Sequence, residues 1–329
     1  MVRVALLGAG GIAKTHARAL DAISSAEIVA VHDISIERAE AMVSAYGGRA
    51  FARAEDAIAE AELVYVLTPP TTHRELVVLA MQAGKHVVCE KPLAASLEDG
   101  RAMVEAAEAY GVKLMVAFNM RFKKGFRYLK ETLDSGRLGE VYHFWSHRFG
   151  LGIGKGYNWR TDPDLMCGMA IESLSHDIDL MRYMVGDPLD VRSTVFESRS
   201  DLPGFDTDVN AVFTLAEGST ALIHASWSSH LGGNARGVLG TKGAAIVEGP
   251  GLWESRYLRI KTEDMQHEER IVLNDPLDLA SYVAESESFV TCVDQDLTPS
   301  VTGEDGLRAL AISYALHEAH RKQAVISVQ

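Results

Sequence analysis

The stretch that decides the fold is Val2-Arg3-Val4-Ala5-Leu6-Leu7-Gly8-Ala9-Gly10-Gly11-Ile12-Ala13. A short apolar run with β-branched residues reads as a buried strand, and the G-x-G-x-x-A that follows it, opening a helical pattern, reads as a dinucleotide-binding turn. Each position has a physical task. Gly8 allows the tight turn, Gly10 lets the backbone approach a pyrophosphate, and Ala13 permits close packing of helix on strand. Gly11 and Ile12 begin the helix, whose unpaired N–H groups face the anion. The next strand, Glu27 to His32, ends at Asp33, where a carboxylate can accept hydrogen bonds from ribose hydroxyls and repel a 2′-phosphate. NAD is therefore expected over NADP, with Arg38 as the nearby residue that would accommodate the extra phosphate. Asp33 is also a candidate cap for the helix after it.

Outward from this unit, short Val/Ile/Leu/Ala-rich runs alternate with helical patterns as far as residue 118. Strands buried on both faces indicate a parallel sheet between helices, so residues 1–118 are expected to form an α/β, doubly wound Rossmann domain. One of its helices should stop at Gly111. Ligands of such sheets sit at the C-terminal strand ends. Two segments fall there: Leu67-Thr68-Pro69-Pro70-Thr71-Thr72-His73 and Cys89-Glu90-Lys91-Pro92. Thr68, Pro69, His73, Glu90 and Lys91 are thus placed to meet a nicotinamide and its reacting partner, and Pro92 should rigidify the turn that carries Lys91.

Beyond residue 118 the rhythm changes. Residues 119–329 read as an α+β domain with a large, mainly antiparallel open sheet, its strands separated by turns such as Glu217-Gly218 and Lys242-Gly243. One helix is expected from about Met166 to Val185, and two more, near 279–294 and 304–321, close the chain. On the first of these, Glu172 and His176 stand at i,i+4 and would share a face, where a carboxylate can orient an imidazole that acts as a general base.

Composition excludes several function classes. With 45 Asp+Glu against 32 Lys+Arg, the net charge of −13 would repel a phosphate backbone, so nucleic acid is not an expected partner. Cys89, Cys167 and Cys292 form no CxxC pair, which argues against a disulfide framework or a cysteine zinc site and suits a reducing, cytoplasmic setting. No uncharged apolar stretch is long enough to span a membrane, and no signal-peptide pattern opens the chain. His143 and His147 lie on one face of an expected strand, too far apart for one ion, so no metal is expected. No G-x-S-x-G elbow is present, and Cys89 has no evident base, which leaves little support for a hydrolase.

Taken in order, GAGGIAKTHARAL (8–20), LTPPTTH (67–73), CEKPLA (89–94), FNMRF (118–122), GRLGEV (136–141), NWRTDP (158–163), GMAIESLSHDID (168–179) and TGEDGLRALAISYALHEA (302–319) resemble the Gfo/Idh/MocA oxidoreductase family along essentially the whole chain. The resemblance implies that Lys91 and His176 are catalytic, with Glu172 where the family usually has Asp, and that Met169 replaces a second motif glycine. It implies that Trp159 and Arg160 reach the cofactor, that Asn119 and Arg121 contact substrate beside Lys91, Glu172 and His176, and that Asp179 keeps the last motif position. His16, His230 and Asn234 read as ordinary structural polar residues. The implied activity is NAD-dependent oxidation of a secondary hydroxyl of a sugar, inositol or related polyol by a homodimer or homotetramer. The alternatives are glycoside cleavage by transient C3 oxidation and elimination, or a silent ligand sensor.

Overall fold

The computed structural model describes residues 1–153, 159–162, 164–273 and 279–328. The first elements alternate as read: β1 (Val2–Leu7), α1 (Gly11–Asp21), β2 (Ala26–His32), α2 (Ile36–Tyr46), β3 (Arg49–Phe51), α3 (Ala54–Ala59), β4 (Leu63–Val66), α4 (His73–Gln82), β5 (His86–Cys89), α5 (Leu97–Tyr110) and β6 (Leu114–Val116). There follow α6 (Lys124–Asp134), β7 (Val141–Leu151), α7 (Met169–Glu172), α8 (Ser175–Val185), β8 (Asp190–Phe196), β9 (Asp208–Thr214), β10 (Thr220–Ser226), β11 (Ser228–Gly240), β12 (Gly243–Gly249), β13 (Tyr257–Thr262) and β14 (Glu269–Val272). The chain closes with α9 (Leu279–Asp294), α10 (Gly303–Lys322) and β15 (Ile326–Ser327). Among the described residues no helix is long and apolar enough to cross a membrane.

Two compact units emerge, residues 1–119 with 279–310 and residues 120–278 with 311–329. This refines the division at residue 118, because α9 and the first turns of α10 join the first unit. Its sheet is six-stranded, in the order β3-β2-β1-β4-β5-β6, with every pairing parallel. β4 and β6 are buried along their whole length, as helices on both faces require. Ser96 caps α5 by accepting from Asp99 N–H (3.1 Å), and the helix ends at Gly111 with φ 63°, as expected. α9 lies beside α1, where Tyr282 meets His16 edge-on. α10 comes so close to β6 that a Cβ at Gly306 would sit 2.6 Å from Val116 Cγ2.

The second unit holds a nine-stranded sheet ordered β14-β13-β12-β11-β7-β10-β9-β8-β15. It is mainly antiparallel but departs from a simple meander: β7 inserts between β11 and β10 and runs parallel to β10. β14 has no clear signal in the sequence, being a short charged edge strand. Alternation along β7 buries Phe144, Ser146 and Arg148 while His143, Trp145 and His147 face the opposite side. The helix expected from Met166 to Val185 is in fact broken. Gly168 has φ 77° with Asp206 packed against its α-carbon, and the backbone N–H of Met169 and Ala170 donate to Asp206 O (3.1 Å) and Oδ2 (2.7 Å). These bonds cap the short α7, and the chain starts again at Ser175. Met169 is fully buried, so the glycine this turn requires is Gly168.

Candidate active site

In the first unit the C-terminal ends of β1, β2, β4 and β5 share one sheet edge, as parallel strands must. Gly8 has φ 105°, and a Cβ there would lie 2.7 Å from Leu67 O, so only glycine fits. Its N–H donates to His32 O at 2.7 Å. A Cβ at Gly10 or Gly11 would meet nothing within 4 Å, and α1 has no side-chain cap. Open space over uncapped N–H groups suits a pyrophosphate. Ala13 is fully buried against the sheet, and Ile12 is half-buried on the first turn of α1.

Asp33 ties this turn together. Its Oδ2 accepts from Ala9 N–H (2.8 Å), and its Oδ1 accepts from Ser35 N–H (2.9 Å) and Arg38 Nε (3.0 Å). The cap of α2 is Ser35, whose hydroxyl accepts from Arg38 N–H, rather than Asp33. The residues therefore fit a dinucleotide whose ribose lies at Asp33, with the Arg38 guanidinium immediately beside it (Nη2 to Oδ1 2.7 Å).

The β4 and β5 ends are cross-linked by His73. It is fully buried, with Nε2 2.9 Å from Thr68 O and Nδ1 3.1 Å from both Pro92 O and Leu93 O. The expectation that His73 reaches the nicotinamide is therefore corrected: both ring nitrogens face backbone carbonyls, and the imidazole clamps the Thr68-Pro69 segment to the Lys91-Pro92 turn. Burial pushes its pKa down, although the carbonyls act the other way. Thr72 Oγ1 lies 2.8 Å from Thr68 Oγ1 and from Pro69 O, which fixes that segment further. Cys89 Sγ is 3.3 Å from His73 Nδ1, but that nitrogen faces the Pro92 and Leu93 carbonyls and so does not serve the thiol as a base. Burial raises the thiol well above its ordinary range, which removes it as a nucleophile.

Glu90 has a partner that the sequence did not reveal. His16 Nε2 lies 2.9 Å from Glu90 Oε1, with the imidazole held edge-on between Tyr65 and Tyr282, while Glu90 Oε2 accepts the backbone N–H of Lys91 at 2.9 Å. Burial acts to raise the Glu90 carboxyl, but the His16 hydrogen bond and charge and the neighbouring Lys91 outweigh it and hold it below the usual range. Lys91 thus leaves β5 on a backbone fixed from two sides, by Glu90 and by the His73 clamp. Asn119, at the end of the same sheet, donates to Ser281 Oγ on α9 (3.3 Å).

In the second unit, Glu172 ends α7 and His176 stands in the first turn of α8. Glu172 Oε1 accepts from Arg160 Nη2 at 2.9 Å, and the Arg160 guanidinium stacks 4.4 Å over Trp159. The loop residues 154–158 and Pro163 around this pair lie outside the described residues. Arg121 gives its guanidinium to Asp179 as a two-pronged bond (Nε to Oδ2 2.9 Å, Nη2 to Oδ1 2.6 Å), which anchors α8.

Behind His176 lies a buried charge cluster centred on Asp177. Arg148 donates to Asp177 Oδ2 from Nε (3.0 Å) and Nη2 (2.8 Å), Arg236 Nε donates to Oδ1 (2.7 Å), and Ser146 Oγ donates to Oδ1 (2.7 Å). Burial opposes ionisation of Asp177, but the two guanidiniums outweigh it and hold the carboxyl far below its ordinary range. Arg148 Cζ in turn sits 4.2 Å over the ring of Trp253, whose edge meets His176 at a centroid distance of 5.5 Å. Arg148 was legible as an inward residue from the alternation Phe144, Ser146, Arg148; Trp253 carried no such signal. Asn234, read as an ordinary strand-end residue, donates to the carbonyl oxygens of Gly251 and Glu254 and so secures the Trp253 loop. His147 and His143 are apart, paired with His224 (3.3 Å) and Thr220 (2.9 Å).

Comparison with known proteins gives one consistent picture. Residues 2–118 match the model of the oxidoreductase family with an NAD-binding Rossmann fold, and residues 126–246 match the GFO/IDH/MocA C-terminal domain. The chain is 32% identical over 338 residues to an inositol 2-dehydrogenase of Rhizobium meliloti strain 1021, with 99% of each covered. It superposes on the solved structure of a candidate myo-inositol dehydrogenase from Sinorhizobium meliloti 1021 with a TM-score of 0.85 at 30% identity, covering 100% of both chains. A levoglucosan dehydrogenase solved with NADH shares the fold, with a TM-score of 0.91 at 20% identity over 100% of this chain and 99% of that one.

Proposed function

Because the chain belongs to the Gfo/Idh/MocA family of oxidoreductases, which act on CH–OH groups, we propose that it oxidises a secondary hydroxyl of a cyclic polyol or sugar, with NAD preferred over NADP. The observation that carries this reading is that one sheet edge holds both the open, glycine-lined turn closed by Asp33 and a lysine whose backbone is fixed by Glu90. The inositol 2-dehydrogenase similarity, over almost the whole of both chains, supports the substrate class.

When bound, the dinucleotide supplies a hydride acceptor. The N–H groups that begin α1 would hold its pyrophosphate, and Asp33 would accept hydrogen bonds from its ribose hydroxyls. Lys91 Nζ donates a hydrogen bond to the reacting oxygen and stabilises the negative charge that grows there as the proton leaves. His176 takes that proton as general base. Glu172, held by Arg160, contributes negative charge near the imidazole and contacts substrate hydroxyls. Asn119 and Arg121 complete the substrate contacts, each braced by the protein, Asn119 on Ser281 and Arg121 on Asp179. Trp159 and Arg160 would contact the cofactor, as the family resemblance implies. The family resemblance also implies a homo-oligomer.

The variants Lys91→Met and His176→Ala test the assignment. Turnover of the best polyol should fall by about a thousandfold or more in Lys91→Met and by about a hundredfold in His176→Ala, with NAD affinity nearly unchanged. Near-wild-type turnover in Lys91→Met would overturn it.

A further inference from the structure

His176 fixes one end of the substrate in the function proposed above, and whatever stands beside the imidazole must meet the rest of the ring. Trp253 stands there. Its ring centroid is 5.5 Å from that of His176 at an interplanar angle of 69°, and the residue is 40% exposed, against 4% for Trp227 in the same unit.

The indole is presented in a fixed pose. One face rests on the Arg148 guanidinium at 4.2 Å, and Arg148 is itself fully buried and held by Asp177 and by Ser173 Oγ (3.0 Å). The backbone is pinned as well, since Lys123 Nζ donates to Trp253 O (3.1 Å) and Asn234 Nδ2 donates to Glu254 O (2.8 Å). A tryptophan serving only to fill a core would be covered, and a casual surface tryptophan would have neither a buried cation beneath it nor an anchored main chain. Arg148 occupies one face of the indole, and His176 stands beside the ring at a centroid distance of 5.5 Å.

A flat, electron-rich face of this kind suits one chemical class. Cyclic polyols and pyranoses carry a patch of C–H groups on one side of the ring, while their hydroxyls point outward to polar partners. An acyclic polyol offers no such rigid patch and loses more conformational freedom on binding. We propose that Trp253 is a substrate-binding residue that stacks on the C–H face of a cyclic polyol or sugar and so selects ring substrates over open-chain ones. The inference rests on His176 being the proton acceptor.

The test uses the full chain in five forms: wild type, Trp253→Phe, Trp253→Ala, Lys91→Met and the double variant Lys91→Met with Trp253→Phe, with matching thermal melts as the check on folding. Steady-state kinetics are run with myo-inositol and glucose as ring substrates and sorbitol as the open-chain one. Trp253→Ala should raise KM for the ring substrates about tenfold or more with kcat changed less than about threefold, corresponding to loss of one aromatic stacking contact and its buried area. Trp253→Phe should retain most of the affinity, and sorbitol should respond little. In Lys91→Met, ring polyols should quench tryptophan emission, and adding Trp253→Phe should abolish the quench. An unchanged KM for ring substrates in Trp253→Ala, or a quench that persists in the double variant, would overturn the inference. Retained turnover in Lys91→Met would instead sink the proposed chemistry, leaving the quench to decide the role of Trp253 on its own.

Discussion

Just after β2, the Asp33 carboxylate is the group on which the proposed preference for NAD rests. It braces the glycine turn through Ala9 and holds Arg38 in a two-pronged contact, so the cation that could receive a 2′-phosphate is already neutralised. Replacing Asp33 with Ser removes both the ribose acceptor and the repulsion and releases Arg38. The ratio of kcat/KM for NADP over NAD should then rise by about tenfold or more, and an unchanged ratio would remove Asp33 from cofactor recognition. The position of Asp33 beside the glycine turn was legible because a short turn motif defines its neighbourhood. His73 was not: its ring nitrogens meet carbonyls from two strand ends, a contact between segments that no local pattern records. The same holds for His16 on α1, whose partner Glu90 follows β5.

At the scale of the element, α8 carries the clearest lesson. Apolar periodicity through 166–185 predicts one helix, but α7 begins only at Met169, where Asp206, a residue distant in sequence, captures the Met169 and Ala170 amides, and the run is interrupted again between Glu172 and Ser175. The expected shared helix face of Glu172 and His176 falls across this interruption, with Glu172 ending α7 and His176 in the first turn of α8, where Asp177 and Asp179 are also buried. What was missing is that inward carboxylates need cations, and these are supplied by Arg148, Arg236 and Arg121. Asp177 is fully buried between two guanidiniums, so Asp177→Asn should destabilise the protein by about 3–5 kcal/mol in urea unfolding, because it leaves buried positive charge without its counterion. The pH dependence has a definite sign. The folded-state pKa lies below the unfolded value of about 3.9, so the contribution is complete above about pH 4 and is lost as pH falls through the folded value. The stability gap between wild type and variant should therefore narrow in strong acid, and a gap that widens there would contradict the role assigned to Asp177.

For the whole molecule, the alternation of apolar runs and helices was enough to read a parallel sheet followed by a mainly antiparallel one. It could not show that residues 279–310 return to the first unit, because a helix near the end of a chain looks the same whichever sheet it covers. Nor could it place β7 in the centre of the second sheet, since strand order depends on contacts between distant residues. Both features bear on function: α9 carries the tyrosine that packs on His16, and β7 carries the arginine beneath Trp253. The central claim is that these parts carry out net oxidation of a ring alcohol. Its most direct test is to incubate the purified protein with excess NAD and a panel of inositols, sugars and glycosides while quantifying reduced nicotinamide and product together. The account predicts one reduced nicotinamide for each ketone formed from a cyclic polyol or sugar. Product appearing without net reduction of NAD, as in an oxidation followed by elimination and return of the hydride, would contradict it.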